Sequence, residues 1–351
     1  MSKELDSDLL SDILRAPGIS GNESAIAELL IDIVSPFATS IERDAMGNLI
    51  VFKKGSNRTR LMLSAHMDEI GLLVRNIDSS GFIRLLPVGG IDPKTLVCQE
   101  FIILSEEPIR AIIGSKPIHL TRGEDKKNEL IKVEDCILDT GLTKDELEKR
   151  GVSVGTPVVR VGELRRLGPL LSSKSMDNRI CVFILTELIR QLKRVLYDTY
   201  FVFCTQEEVG LRGIRTAAAS ICPNIGINLD VGLANDLPGV PEHEIGIKLG
   251  KGTAIKLIDA TSISHRGLFS RMQEIAKKNK ISFQVDACNR GGTDACGMQY
   301  LVGGNCIVSG ISIPLRYMHS PVETVHENDV TDTIKLMKST ITDPSLESLL
   351  D

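Results

Sequence analysis

Apolar residues near the start of the chain recur with a helical period and then give way to short runs typical of strands. Residues 9–14 place four apolar side chains on one helical face, and Pro17-Gly18 predicts the end of that helix. A second helix with one apolar face is predicted after Asn22. Residues 49–52 and 61–65 then predict two strands, and the second leads directly into His66.

The segment 70–165 has a different pattern. Short β-type runs alternate with Gly, Pro and charged turns, which predicts a small, mostly β module. Thr143 and Glu146 have the spacing of a capping box, so one short helix is expected within it. The charged stretch 122–129 is expected to be a solvated loop.

From about residue 170 onward, predicted strands and helices alternate, as in an α/β sheet layered with helices. The N-terminal helices and strands are too few to form a core alone and must join this sheet. The sequence therefore predicts a discontinuous α/β domain formed by residues 1–69 and 166–351. A β-rich module, residues 70–165, is inserted into it.

Composition narrows the classes of function. The chain has 351 residues, 42% of them hydrophobic and 25% charged, with a net charge of −5. Without a basic block, nucleic acid is not expected as a partner. No apolar run reaches the roughly 18–20 residues of a membrane span, and the acidic, amphipathic N-terminal stretch is not expected to act as a signal peptide. Eight cysteines without a CxxC pair predict thiols in a reducing, cytoplasmic setting.

Acidic and histidine side chains follow the predicted strands at the point where each strand ends. In open α/β sheets, ligands bind beyond the carboxyl ends of the strands. Carboxylates and histidines gathered there would repel or desolvate one another unless a cation lay between them. The sequence therefore predicts a metal site, and its strand-end candidates are His66, Asp68, Glu207, Glu208, Asp230 and His319.

The individual motifs differ in how specific they are. His66-x-Asp68 fits a metal-bound histidine whose second ring nitrogen faces a carboxylate. In Glu207-Glu208, one carboxylate can bind a cation while the other exchanges protons with water, but spacing alone does not assign the roles. Asp177 taken alone fits a helix N-cap, and Asp294 fits a turn.

Read together and in order, these motifs resemble those of the co-catalytic di-metal aminopeptidases, the tetrahedral (TET), glutamyl and deblocking aminopeptidase family. The resemblance spans nearly the whole chain. The matching segments are Ala65-His66-Met67-Asp68-Glu69-Ile70-Gly71, Lys174-Ser175-Met176-Asp177-Asn178-Arg179, Gln206-Glu207-Glu208-Val209-Gly210-Leu211-Arg212-Gly213, Leu229-Asp230, Leu249-Gly250-Lys251-Gly252, Gly291-Gly292-Thr293-Asp294-Ala295 and Pro314-Leu315-Arg316-Tyr317-Met318-His319-Ser320.

The resemblance implies a complete site with two divalent metal ions per subunit. These would be Zn²⁺, or Co²⁺ or Mn²⁺ when supplied. Asp177 would bridge the ions; His66 and Asp230 would complete the ligands of one ion, Glu208 and His319 those of the other. Glu207 would be the general base for a water bound by both ions, and Asp68 would orient His66. Asp294 is an expected contact for the free N-terminus of a peptide substrate.

The resemblance also implies a three-layer sheet-and-helix metallopeptidase domain, with the inserted barrel-like module as a dimerisation domain. Homodimers would assemble into a dodecamer. Three alternatives are set against this interpretation: a glycoside hydrolase, a di-metal deacylase or carboxypeptidase, and a non-catalytic scaffold. The absence of Trp disfavours the first, because polysaccharide sites normally offer aromatic platforms. A scaffold would have no use for Glu207 as a base.

Overall fold

The computed structural model describes residues 5–115, 117, 119, 132–300 and 305–350. The stretch 122–129, predicted to be a solvated loop, lies outside them. The described strands, in chain order, are β1 (Ser40–Arg43), β2 (Leu49–Lys53), β3 (Asn57–His66), β4 (Gly71–Ile77), β5 (Ile83–Val88), β6 (Gln99–Ile103), β7 (Ile109–Ile113), β8 (Ile137–Asp139), β9 (Pro157–Arg160), β10 (Arg165–Leu167), β11 (Leu170–Ser173), β12 (Tyr197–Cys204), β13 (Ile225–Leu233), β14 (Thr253–Ile258), β15 (Phe283–Ala287), β16 (Ile307–Leu315) and β17 (Glu323–His326).

Eight α-helices accompany these strands in the described part of the chain, together with short 3₁₀ turns. The helices are α1 (Ser7–Arg15), α2 (Ser24–Val34), α3 (Lys144–Lys149), α4 (Met176–Gln191), α5 (Gly213–Ile221), α6 (Arg266–Lys278), α7 (Ala295–Gln299) and α8 (Glu327–Ile341). Among the described residues, no helix combines the length and the apolar character needed to cross a membrane.

A mixed eight-stranded sheet forms the centre of the fold, in the order β1-β2-β12-β3-β13-β16-β14-β15. The strands β12, β3, β13 and β16 are neighbours and run parallel to one another. Their carboxyl ends therefore lie side by side at one edge of the sheet. This is the edge at which α/β folds usually bind ligands.

Helices cover both faces of this sheet. Along β3, Leu61 and Leu63 pack into the core formed with α1, α2, α4, α6 and α8. Met62, which lies between them, packs into a second cluster with α5 and α7. Because successive strand side chains point to opposite faces, the two clusters lie on opposite sides. The predicted three-layer α/β architecture is confirmed.

The inserted segment folds as a closed barrel of six antiparallel strands, in the order β4-β5-β8-β7-β6-β9. It has a hydrophobic core of its own, which includes Leu72, Phe101, Leu138 and Val158. The capping box between Thr143 and Glu146 is present at the start of α3. The predicted β-rich, barrel-like module is thus confirmed, whereas the boundaries 69/70 and 165/166 stay a prediction.

A small three-stranded sheet, β10-β11-β17, was not predicted because its strands have only three or four residues each. It pairs Ser173 with Glu323. The chain reaches Asp177 shortly after β11 ends and passes His319 shortly before β17 begins. This sheet therefore holds together two segments that both carry candidate site residues.

Candidate metal centre

The candidate residues meet at the carboxyl edge of the four parallel strands. His66 ends β3 and lies opposite Cys204, the last residue of β12, so Glu207 and Glu208 follow close by. Asp230 does not end its strand as predicted, because β13 continues to Leu233. One cavity is lined by six of the predicted residues: His66, Asp177, Glu207, Glu208, Asp230 and His319.

The carboxylate of Asp177 lies between the two histidines. Its Oδ1 is 3.2 Å from Nε2 of His66, and its Oδ2 is 3.3 Å from Nε2 of His319. Oε2 of Glu208 is 3.4 Å from the same nitrogen of His319, and Oδ1 of Asp230 is 3.9 Å from Nε2 of His66. Asp177 therefore offers one oxygen toward each histidine.

The N-cap interpretation of Asp177 is wrong. The backbone of Asp177 (φ −76°, ψ 105°) is not helical, and its carboxylate oxygens face His66 and His319. Its carboxylate points into the cavity instead of capping the helix. The sequence signal was ambiguous because an acid at the start of a helix fits a cap equally well.

The donor set suits a divalent cation. Two overlapping groups bring their ligand atoms within 4.8 Å of one another: His66, Asp177 and Glu208, and His66, Glu207 and Asp230. Imidazole nitrogen and carboxylate oxygen are the usual Zn²⁺ ligands besides thiolate. The residues present thus fit the metal chemistry, although these groups alone do not separate ligands from a base.

Burial among like charges dominates the electrostatics. Burial raises the pKa of Glu207 well above its usual range, and the charge of Asp230 adds to this effect. Burial also raises the pKa of Asp230, to about 7. Burial opposes protonation of His66, but the nearby carboxylates, first Glu207 and then Asp177, raise its pKa well above the ordinary value. A divalent cation would reverse these shifts, because it stabilises the anionic carboxylates and the neutral imidazole.

Asp68 is fully buried and holds several parts of the site. Its Oδ1 lies 3.4 Å from Nδ1 of His66 and accepts the backbone N–H of Glu207 at 3.0 Å. Its Oδ2 accepts the N–H of Glu208 at 3.2 Å and the hydroxyl of Ser20 at 2.5 Å. One carboxylate thus faces His66 and fixes the backbone that carries both glutamates.

Glu323 holds the backbone of Asp177 and His319 in a similar way, and it was missed in the sequence. Its Oε2 accepts the backbone N–H of Asp177 at 2.9 Å, and its Oε1 accepts that of His319 at 2.6 Å. Burial, reinforced by the charge of Asp177, raises the pKa of Glu323 to about 8. The only sequence signal was an acid four residues after His319, which is too common to be informative.

Three residues at the site have left-handed backbone conformations that side chains rarely adopt: Ser175 (φ 56°), Gln206 (φ 54°) and His319 (φ 60°). Such a conformation costs about 1–3 kcal/mol and persists only when surrounding contacts enforce it. In each case a buried glutamate accepts a hydrogen bond from that residue. The three acceptors are Glu69, Glu23 and Glu323.

Asp294 does not join the residues that line the cavity. It is 1% exposed at the start of α7, and its neighbour Thr293 lines the cavity instead. Among the described residues, neither carboxylate oxygen of Asp294 has a hydrogen-bond partner of ordinary geometry. The thiol of Cys204 lies nearby but is only a weak donor. Burial raises its pKa to about 6. This placement does not support the predicted substrate contact.

The fold is shared with solved aminopeptidases. One, from the archaeon Desulfurococcus kamchatkensis, is 33% identical, with a TM-score of 0.91 over 95% of this chain and 94% of the other. The TET1 peptidase of Pyrococcus horikoshii, which assembles into a tetrahedron or a large octahedral shell, is 32% identical, with a TM-score of 0.86 over 96% and 99%. The fold places the chain among the hydrolases that cleave peptide bonds.

Sequence comparison narrows this class further. The profile of the M42 glutamyl aminopeptidases matches residues 47–336. The lysyl aminopeptidase of Pyrococcus furiosus is 37% identical over 348 residues, which cover 95% of this chain and 96% of the relative. The chain belongs to the M42 glutamyl aminopeptidase family, and the resemblance noted in the sequence is confirmed.

Proposed function

We propose that this aminopeptidase depends on two divalent metal ions, Zn²⁺ in the first instance, with Co²⁺ or Mn²⁺ as substitutes. The observation that carries the proposal is the position of Asp177, whose two oxygens face Nε2 of His66 and Nε2 of His319. A carboxylate shared in this way fits a bridging ligand. His66 and Asp230 would complete one set of ligands, and Glu208 and His319 the other.

When bound, the ions would supply Lewis-acid polarisation of the scissile carbonyl and of the attacking water. The chain's own residues handle the proton. We assign Glu207 as the general base, as the family resemblance implies. In support, Glu207 lines the cavity, and Glu208 is the glutamate that lies nearer to a histidine, 3.4 Å from Nε2 of His319. The Glu207 carboxylate takes one proton from water as the water oxygen bonds to the carbonyl carbon. It then gives that proton to the peptide nitrogen as the C–N bond breaks.

In this proposal Asp68 would not bind a metal ion itself but would position His66 and the two glutamates. Its carboxylate faces Nδ1 of His66, so it favours the tautomer that leaves Nε2 available as a ligand. Hydrogen bonds from His66 and Ser20 outweigh the effect of burial and hold the pKa of Asp68 below its usual value. As an anion, Asp68 can accept hydrogen bonds from the backbone N–H groups of both Glu207 and Glu208.

The substrates would be peptides with a free N-terminus. The cavity gathers carboxylates around the candidate metal positions, which suits an amine better than an acetyl cap. The test is to remove metal with a chelator, restore Zn²⁺, Co²⁺ or Mn²⁺ separately, and compare free with N-acetylated peptides. We expect metal-restored cleavage of free peptides alone. Equal cleavage of both peptides, or full activity after metal removal, would contradict the proposal.

We further propose that the barrel is the dimerisation module and that dimers build a dodecamer. Support comes from its exposed apolar side chains, such as Phe82 (41% exposed) and Ile112 (53% exposed). Replacing both with Lys should reduce the particle size in analytical ultracentrifugation. The matched control is Ile263→Lys, because Ile263 is an apolar residue of the α/β domain that is 64% exposed. An unchanged particle in the barrel variant would contradict this role.

A further inference from the structure

The barrel reaches the candidate metal centre through one turn. Gly89 and Gly90 follow β5, and the backbone carbonyl of Gly90 lies 2.8 Å from Nδ1 of His319. No side chain in the described part of the barrel lines the cavity, so no side-chain motif in the sequence indicates this contact. The two residues are 229 positions apart and belong to different parts of the fold.

The chemistry of this contact fixes the histidine. A carbonyl oxygen only accepts hydrogen bonds, so Nδ1 of His319 must carry the proton and donate it. Nε2 then holds the lone pair of the neutral ring. That nitrogen lies 3.3 Å from Asp177 and 3.4 Å from Glu208, the two carboxylates proposed to share its ion.

Both glycines are fitted closely to the site. A Cβ on Gly90 would lie 3.1 Å from Nδ1 and 3.3 Å from Cε1 of His319. A Cβ on Gly89, whose φ is +81°, would lie 2.7 Å from Cγ2 of Ile70 and 3.3 Å from Cβ of Glu208. The turn thus packs directly on both residues proposed to complete one metal's ligands, and a Cβ at Gly90 would require His319 to shift by a few tenths of an ångström.

The residues that follow the turn make hydrogen bonds within the barrel. The 3₁₀ turn that follows it, Pro93–Thr95, is capped by the Asp92 carboxylate, which accepts the N–H of Lys94 at 3.0 Å. Arg160, on strand β9, donates to the carbonyl and the hydroxyl of Thr95 at 3.3 and 3.1 Å. The segment that directly follows Gly90 is therefore tied to strand β9 of the barrel.

We infer that the Gly89-Gly90 turn of the inserted barrel is a positioning element for His319, and that it sets the tautomer and orientation with which this histidine binds its metal ion. The inference rests on the proposed metal centre. It extends the role of the barrel beyond assembly, because the affinity for one ion depends on the contact between barrel and core.

The test is a titration of the chelator-treated full chain with Co²⁺, followed by the visible absorption of the bound ion. Gly90→Ala keeps the carbonyl, but its Cβ should push the His319 ring away from it. We expect one of the two bound ions to bind about 10–100-fold more weakly, the usual effect of disturbing such a partner, and its spectrum to change. The other ion and the melting temperature should stay unchanged. Gly114→Ala, a barrel position where a Cβ would have no neighbour within 4 Å, is the matched control and should match the wild type.

A second variant weakens the hydrogen bond without adding a Cβ next to His319. Replacing the amide between Gly90 and Ile91 by an ester makes the Gly90 carbonyl a weaker acceptor and adds no atom near His319. It should weaken the same ion. If both variants bind two Co²⁺ ions with wild-type affinity, the inference is overturned. It is also overturned if the affinity for both ions falls equally and the melting temperature falls with it. A wild-type chain that takes up no Co²⁺ would instead overturn the proposed metal centre itself.

Discussion

The two histidines of the site are held in different ways. His66 is 2% exposed, and the partner of its Nδ1 is Asp68, two residues further along the same chain segment. His319 is 30% exposed and has a left-handed backbone. Its support comes from Glu323 in the small β10-β11-β17 sheet and from Gly90 in the barrel.

The comparison shows that the inserted barrel can take part in the candidate metal centre without supplying a metal ligand, through the backbone carbonyl of Gly90. The half of the site around His66 lies at the end of a buried strand, within the α/β core. The half around His319 forms only where core, barrel and the small β10-β11-β17 sheet meet. We therefore expect changes in the core to affect both halves and changes in the barrel to affect only the second.

The largest effect is expected from Asp177→Asn, because Asp177 belongs to both halves. Asparagine offers one neutral oxygen where two cations need a shared anion. Metal analysis should show the loss of at least one ion per subunit, with activity lost in parallel. Retention of both ions with near-normal turnover would mean that the halves do not share this residue.

Glu207→Gln should fail in a different way. Glutamine keeps the size of the side chain but cannot accept a proton, so kcat should fall about 10²–10⁴-fold. Both ions should remain bound, because Glu207 belongs to neither proposed ligand set. Kinetics and metal analysis on the same sample check this. Loss of metal here, with Glu208→Gln retaining both ions, would show that the roles of the two glutamates are reversed.

A smaller effect is expected from Glu323→Gln, which changes the support that the small β10-β11-β17 sheet gives to His319. Glu323 accepts two backbone N–H groups, and an amide would turn a donor toward one of them. We expect metal affinity to fall about 10–100-fold, measured by competition with a chelator. Asp329→Asn is the matched control, since Asp329 also accepts two backbone N–H groups, from Gly250 and Gly252, away from the cavity. If the control weakens metal binding as strongly, the effect is one of general stability.

The same comparison explains what could be predicted from the sequence. His66, Glu207 and Glu208 were found by position, because residues that follow buried parallel strands meet at one edge of the sheet. Asp177 was found only through the family resemblance, since the residue alone fits a helix cap. The α/β sheet layered with helices and the β-rich insertion followed from the pattern of apolar residues, whereas the three-layer form came from the family resemblance.

The supports of the His319 half could not be predicted. Glu323 acts on backbone N–H groups, and Gly90 acts through its own carbonyl, so neither contact requires a recognisable side-chain motif. Both depend on the register of very short strands and on the packing of the barrel against the core. The N-cap expectation for Asp177 failed because its backbone is not helical and its carboxylate faces His66 and His319.

Anomalous diffraction at the zinc edge, from crystals grown with Zn²⁺, tests the central claim most directly. We predict two peaks per subunit, about 3.5–4 Å apart, with one oxygen of Asp177 on each. His66 and Asp230 should contact one peak, Glu208 and His319 the other, and Glu207 neither. A single peak, or two peaks without Asp177 between them, would contradict the account.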